Sequence, residues 1–474
     1  MAETFKYEEK LILNRESSWL KADKARKNKT FEFAESYKEF LDNGKTERAC
    51  TEQILKFATA NGFCSIENLK SLKSGQRIYA INRAKNIILC VVGTESLDKG
   101  LNIIVAHLDS PRLDLKPNPL YEEKDSQTAL FKTHYYGGIK KYHWVNLPLA
   151  LHGKVIRKDG SEVTVRLGES ANEPVFVIPD LLPHLSKKLQ DDRKLSEGIK
   201  GEELNIIVGS MPTNIKNEKI KEKVKFFIIS ELNKRYGLVE EDFVSAELEA
   251  VPAGRARDIG FDKSLIGSYG QDDRICAYTA MCAIAELKNP KRTALAIFID
   301  KEEIGSEGST GMRSMFFEAF VSQLIKLSGK YDEYVLKSAL ANSRALSADV
   351  NAGLDPSFKE VHEVANAPKL GFGVVVTKYT GAGGKFASSE ATAEYVGAIR
   401  SLLNKNNIPW QTGELGKVDE GGGGTVAKYL AEYNMDVIDM GPPILSMHSP
   451  FEISSKIDIY STYEAYKVFF GAMF

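Results

Sequence analysis

The chain has few cysteines, no long apolar run and no excess of either charge, and each lack removes a class of protein. Five cysteines (Cys50, Cys64, Cys90, Cys276 and Cys282) are scattered through 474 residues with no Cys-x-x-Cys pair. Neither a disulfide framework nor a thiolate zinc site is expected, and a reducing compartment fits. Cys276 and Cys282 fall in an apolar helical stretch, where small thiols serve as core residues. The most apolar runs, 87–92 and 103–106, are far short of the ~18 residues that span a bilayer. The first twenty residues mix acids and bases among their apolar positions, unlike the unbroken apolar stretch of ~7–15 residues in a leader. A soluble, cytoplasmic protein is expected, with no membrane partner. Lysine and arginine number 63 against 64 acids, a net charge of −1. That balance gives no general attraction to nucleic acid. The lysine-rich run 216–225 is interrupted by Glu218 and Glu222 and reads as a solvated helix face.

The length exceeds what one ordinary core organises, so two structural units are expected. Residues up to about 63 read as helical. Strand-like runs follow at 77–82, 86–92 and 101–106, the last two nearly continuously apolar, as in strands covered on both faces. Between about 116 and 250 the texture changes. Residues 134–144 are rich in aromatics and glycine, and 153–167 alternate around Lys158-Asp159-Gly160, a hairpin signal. An amphipathic helix is expected at 220–238. After residue 254 an α/β rhythm returns: helix 274–287, strand 294–299, helix 315–328, strand 344–348, strand 371–377, helix 389–404 and strand 436–440. This predicts an α/β fold with a mostly parallel sheet flanked by helices. The catalytic unit would be 1–115 and 251–474, split by an inserted, partly β unit at 116–250.

Side chains able to hold metal lie just past the ends of these strands, where open α/β sheets bind ligands. Strand 101–106 leads into His107-Leu108-Asp109. Residues two apart in extended chain face the same way, so Asp109 can accept a proton from one nitrogen of His107 and free the other. Strand 294–299 leads into Asp300-Lys301-Glu302-Glu303. Adjacent carboxylates at a strand end point apart, so one can bind metal while its neighbour serves as general base. Asp349 ends strand 344–348, and His448 follows an apolar stretch. Asp272-Asp273 precedes a helix, where either acid could instead cap the N-terminus. Two histidines and at least three carboxylates without thiolates suit Zn²⁺, Mn²⁺ or Co²⁺, and a shared carboxylate can bridge two ions. The glycine run Gly421–Gly424 lacks the Lys-Ser/Thr of a phosphate loop and reads as a turn lining the pocket.

The segments Ala106-His107-Leu108-Asp109-Ser110-Pro111, Asp272-Asp273-Arg274, Asp300-Lys301-Glu302-Glu303-Ile304-Gly305-Ser306, Ser347-Ala348-Asp349 and Met447-His448-Ser449 resemble the M18 aminopeptidases, the aspartyl aminopeptidase and vacuolar aminopeptidase I group. The order matches and the resemblance covers nearly the whole chain. It implies that His107 and Asp349 hold one metal, Glu303 and His448 the other, and that Asp272 bridges. It makes Glu302 the base and Asp109 the residue that orients His107. Two divalent ions are implied, zinc ahead of manganese or cobalt. The insert would be a dimerisation domain in a dodecamer. His184 would reach a neighbouring subunit's site and steady the oxyanion, and Lys378 would face the substrate side chain. The aromatic stretch Phe131, Tyr135, Tyr136, Tyr142 and Trp144 suggests a buried subunit interface.

The expected chemistry is hydrolysis of short peptides from the N-terminus. Two ions share a water, Glu302 takes its proton, and the free α-amine of the substrate completes one metal's shell. Two rivals are a two-metal amidohydrolase or deacylase acting on acylated amino acids, and an inert shell-forming scaffold. An N-acetylated substrate separates the first from a peptidase, and metal content separates the second.

Overall fold

The strands Asn86–Val91, Asn102–His107 and Ala294–Ile299 are buried along their whole length, which requires cover on both faces. In the computed structural model of the chain, which describes residues 11–329 and 331–473, they lie inside a nine-stranded sheet. Its order is Cys64–Ser65, Arg77–Asn82, Asn86–Val91, Ala294–Ile299, Asn102–His107, Arg344–Ser347, Asp436–Gly441, Val374–Thr377 and Trp410–Thr412. The centre, from Ala294–Ile299 to Asp436–Gly441, is parallel. Antiparallel pairs join it to Asn86–Val91 on one side and Val374–Thr377 on the other. The stretch read as carrying no leader lies outside the described residues as far as residue 10.

Alternation along these strands feeds two cores. Ile87, Leu89, Ile104, Ala296 and Phe298 pack with the helices Lys24–Asn43, Gln271–Ala285 and Lys456–Phe470. Ile88, Ile103, Val105, Leu295 and Ile297 pack with Phe316–Leu327 and Glu333–Ala341. Two of these helices, Glu333–Ala341 and Lys456–Phe470, go beyond those expected from the sequence. The second carries Lys456, Asp458, Ser461 and Thr462 on buried positions, so polar residues interrupt the apolar period that would have marked it. Its end is tied down by Asn102, whose Nδ2 donates to the carbonyls of Phe469, Phe470 and Ala472 at 3.3, 3.2 and 2.9 Å.

A second, six-stranded sheet runs Glu162–Leu167, Leu149–Ile156, Ala246–Pro252, Arg112–Glu123, Thr128–Tyr136, Asn205–Gly209, antiparallel throughout. It has its own core with the helix Lys223–Tyr236, which stops at Gly237 in the left-handed conformation. The basic run 216–225 is largely an exposed loop leading into this helix rather than a helix face. The aromatic stretch also differs from expectation. Phe131 and Trp144 fill this unit's own core and Tyr136 is buried, leaving Tyr135 and Tyr142 exposed. Three of the five aromatics thus pack within their own chain.

A third sheet was not expected. Its five short strands, Arg257–Ile259, Leu265–Ser268, Glu452–Ser455, Pro443–Leu445 and Asn351–Ala352, sit immediately beside Asp272, Asp349 and His448 in sequence.

Candidate metal centre

Each residue of the site leaves a rigid element within a few positions. His107 is the last residue of Asn102–His107. Asp349 follows Arg344–Ser347 by two positions. Asp272 and Asp273 have non-helical dihedrals at the head of their helix, and the peptide between them is cis. After Ala294–Ile299 the chain turns at Lys301, in the left-handed conformation, through a single 3₁₀ turn Glu302–Ile304 that ends at left-handed Gly305. His448 itself has φ +63°.

These turns bring five ligand-type side chains together in two groups that share one member. His107, Asp272 and Asp349 form one, and Asp272, Glu303 and His448 the other, with candidate ligand atoms in each group within 4.8 Å of one another. The Asp272 carboxylate divides itself between them. Its Oδ1 lies 3.2 Å from Nε2 of His107 and its Oδ2 3.2 Å from Nε2 of His448. His107 Nε2 is also 3.9 Å from Asp349, and His448 Nε2 is 3.4 Å from Glu303. Asp273 belongs to neither group; it is fully buried beneath them.

The histidine tautomers follow from the partners of the other ring nitrogens. His107 Nδ1 is 3.0 Å from the carbonyl of Asp109, and His448 Nδ1 is 3.1 Å from the carbonyl of Gly138. A carbonyl only accepts, so both Nδ1 atoms carry a proton, and Nε2, turned toward the carboxylates, is the nitrogen of each ring left to bind a metal. The Asp109 carboxylate, expected to take the His107 proton, is farther at 3.4 Å. The chain leaves the sheet after His107, so the two side chains are not held in a pleat. That carboxylate instead accepts the backbone N–H groups of Glu302 and Glu303 at 3.1 and 3.2 Å. It therefore holds the turn that presents both glutamates.

Charge in the cluster is arranged for cations. Burial pushes Glu302 up to about 7, and burial with the Asp272 charge pushes Glu303 and Asp349 well above the carboxylate range. Burial opposes an imidazolium, yet Asp272 and Glu303 push His448 up to about 10. Asp272 is held below the usual range against its burial, by His107 and His448. Protons here are substituting for positive charge that the ligand set calls for. Glu303 Oε1 is also buried without a hydrogen-bond partner, as a carboxylate oxygen awaiting an ion would be. The residues fit divalent cations.

Four of the five, Asp272, Glu303, Asp349 and His448, line a cavity of about 470 Å³, whose wall also includes Tyr379, Lys385, Glu414, Lys417 and the run Gly421–Gly424. Glu302 lines it; Lys378 does not, and lies 3.5 Å from Glu390. Lys385 is the lysine on the wall, and it shares Glu390 at 2.9 Å. His184 is exposed on the short helix Pro183–Ser186 and does not line this cavity. One supporting residue has no signal in the sequence. Glu452, fully buried, accepts the backbone N–H groups of Gln271, Asp272 and His448 at 2.6, 3.1 and 2.8 Å. It thereby clamps Asp272 to His448.

The family described as Aminopeptidase I zinc metalloprotease (M18) matches residues 40–470. The chain belongs to the M18 aminopeptidases. It is 50% identical over 461 residues to the probable M18 family aminopeptidase 1 of Borrelia garinii, covering 97% of this chain and 100% of that protein. The crystal structure of the Thermotoga maritima M18 aminopeptidase matches with a TM-score of 0.93 and 48% identity, over 98% of this chain and 100% of that one. The S. cerevisiae mApe1 dodecamer shares the fold at 20% identity, with a TM-score of 0.73 over 92% of this chain and 96% of that one. This M18 protein is a metallo-aminopeptidase. Its named relatives are aminopeptidases, which does not favour the deacylase or the inert scaffold.

Proposed function

We propose that this M18 aminopeptidase works with two divalent cations, zinc ahead of manganese or cobalt, and removes N-terminal residues from short peptides. The observation that carries the reading is the Asp272 carboxylate, with one oxygen 3.2 Å from each histidine Nε2. His107 and Asp349 would hold one cation, Glu303 and His448 the other, and Asp272 both. When bound, the cations supply Lewis acidity at the scissile carbonyl and a lowered pKa for the attacking water. Glu302, on the cavity wall but outside both ligand groups, accepts the proton of that water and passes it to the leaving amine. Asp109 positions the Glu302–Glu303 turn. Lys385 replaces Lys378 as the lysine we assign to the substrate side of the cavity.

Residues 116–250 are read as a dimerisation unit, with His184 completing a neighbouring subunit's site in a dodecamer. The dodecameric yeast fold relative supports that assembly. Among the described residues no helix is long and apolar enough to cross a membrane, in keeping with a protein working in the cytoplasm.

The test is metal depletion followed by a substrate panel. Chelator-treated protein should lose turnover of a free-amine peptide reporter and regain it with Zn²⁺, Mn²⁺ or Co²⁺. The N-acetylated twin of that reporter should stay uncut throughout. Full activity in protein shown by mass spectrometry to be metal-free would remove the two-cation reading.

A further inference from the structure

Strand Thr128–Tyr136 of the six-stranded sheet ends beside the metal centre, where residues 136–138 reach Asp109 and His448. The Tyr136 hydroxyl donates to Asp109 Oδ2 at 2.8 Å. This is the carboxylate that accepts the Glu302 and Glu303 N–H groups. Two residues on, the Gly138 carbonyl accepts the Nδ1 proton of His448 at 3.1 Å. Gly137 turns the chain between them with φ +73°. Space there is tight: a Cβ on Gly138 would lie 3.3 Å from His448 Nδ1, and one on Gly137 3.5 Å from Glu303 Cβ. The Tyr136 ring is held from behind by the Arg112 guanidinium, 4.0 Å from its centroid. Arg112 is itself buried between Glu47 and Glu249, at 3.4 and 3.3 Å.

We propose that Tyr136-Gly137-Gly138 is a positioning element through which the inserted unit sets the metal centre of its own chain. Tyr136 fixes the Glu302–Glu303 turn through Asp109. Gly138 fixes the tautomer and direction of His448. The insert is then part of the catalytic apparatus of each chain, independently of any role in assembly. This rests on the two-cation reading above, because the groups being positioned are its ligands and its base. A partner that orients a ligand from behind typically carries about 10–100-fold in metal affinity or activity.

The experiment compares Tyr136→Phe and Gly138→Ala with wild type, using Tyr135→Phe, an exposed neighbour, as the control. Three quantities are read: kcat and KM separately on an aminoacyl reporter, zinc affinity by graded chelator competition, and thermal melting. Tyr136→Phe should lower kcat about 10–100-fold with KM within about twofold and the melting curve unmoved. Gly138→Ala should weaken one of the two zinc ions about 10–100-fold and leave the other as in wild type. Tyr135→Phe should match wild type. Wild-type kcat in Tyr136→Phe together with wild-type zinc affinity in Gly138→Ala would overturn the proposal, as would a rise in KM alone. If Tyr136→Phe does not fold, the zinc affinity of Gly138→Ala decides. Failure of the underlying two-cation reading shows separately, as wild-type protein that takes up no zinc.

Discussion

Glu302 and Glu303 are adjacent, chemically identical, and held by the same Asp109 carboxylate through their backbone N–H groups, yet their surroundings differ. Glu303 Oε2 sits 3.4 Å from His448 Nε2 within a ligand group, while Glu302 lies outside both groups on the cavity wall. Glu302→Gln should lower kcat by about 10²–10⁴-fold, the range for a general base, with metal content by mass spectrometry as in wild type. Glu303→Gln should lose metal as well as activity. The reverse pattern would exchange their roles. The pH dependence follows from the same position. A base must be unprotonated to act, and burial raises Glu302 from 4.5 to about 7, so activity is lost as pH falls through that carboxyl's pKa. Cations beside it favour the charged form and pull that pKa back down. The acid limb of kcat/KM should therefore fall between 4.5 and about 7, and a profile flat across that window would contradict the assignment. The glutamate pair was legible from sequence because it terminates an unmistakable buried strand, Ala294–Ile299. Glu452 and Gly138 were not, since their contacts to Asp272 and His448 cross 180 and 310 positions of chain.

At the scale of elements, the central strands of the nine-stranded sheet and most long helices could be read from periodicity, whereas the long strands Arg112–Glu123 and Thr128–Tyr136 and the five-stranded sheet could not. Its strands are two to four residues long, too short to show any period. That sheet nonetheless carries Glu452 and flanks three of the five ligand candidates. A different device joins the inserted sheet to the helix Glu47–Ala60. Arg112, fully enclosed, lies between Glu47, Asp114 and Glu249, and Lys85 reaches Glu47 at 3.0 Å. Both acids pay the penalty of burial, but Arg112 and Lys85 hold Glu47 down to about 2 while Glu249 is pushed well above its usual value. Arg112, shared by both acids while Lys85 serves Glu47, thus favours one ionised and one neutral carboxyl. Removing Arg112 leaves the ionised Glu47 with Lys85 alone. Arg112→Met should cost about 3 kcal/mol, the low end of the penalty for breaking a buried ion pair, read as a lower urea midpoint with the slope unchanged. A midpoint within error of wild type would show that the cluster relaxes or takes up water instead.

The whole molecule raises the question of why His184 stands outside its own site. It is exposed on Pro183–Ser186, amid Leu182, Leu185, Leu189 and Leu195, exposed by 50%, 64%, 55% and 72%. Four large apolar side chains open to solvent within fourteen positions form a patch of the kind that marks a contact between chains. The aromatics at 131–144 pointed to an interface from sequence, and of them only Tyr135 and Tyr142 are exposed, whereas this leucine arm is exposed at all four positions. If the arm docks on a second copy and delivers His184 there, each active site is built from two chains. Chains carrying His184→Ala and Glu302→Gln would each be nearly inactive alone, the first for want of its partner's histidine and the second for want of a base. Co-expressed, mixed dimers would pair an intact ligand set and Glu302 from one chain with His184 from the other. Random pairing makes half of the dimers mixed with one competent site in each, so activity should recover to about one quarter of wild type. The same preparation diluted until it runs as monomers should keep its metal and lose that activity. Co-expressed protein no more active than its parents, or a monomer with full turnover, would confine the active site to a single chain.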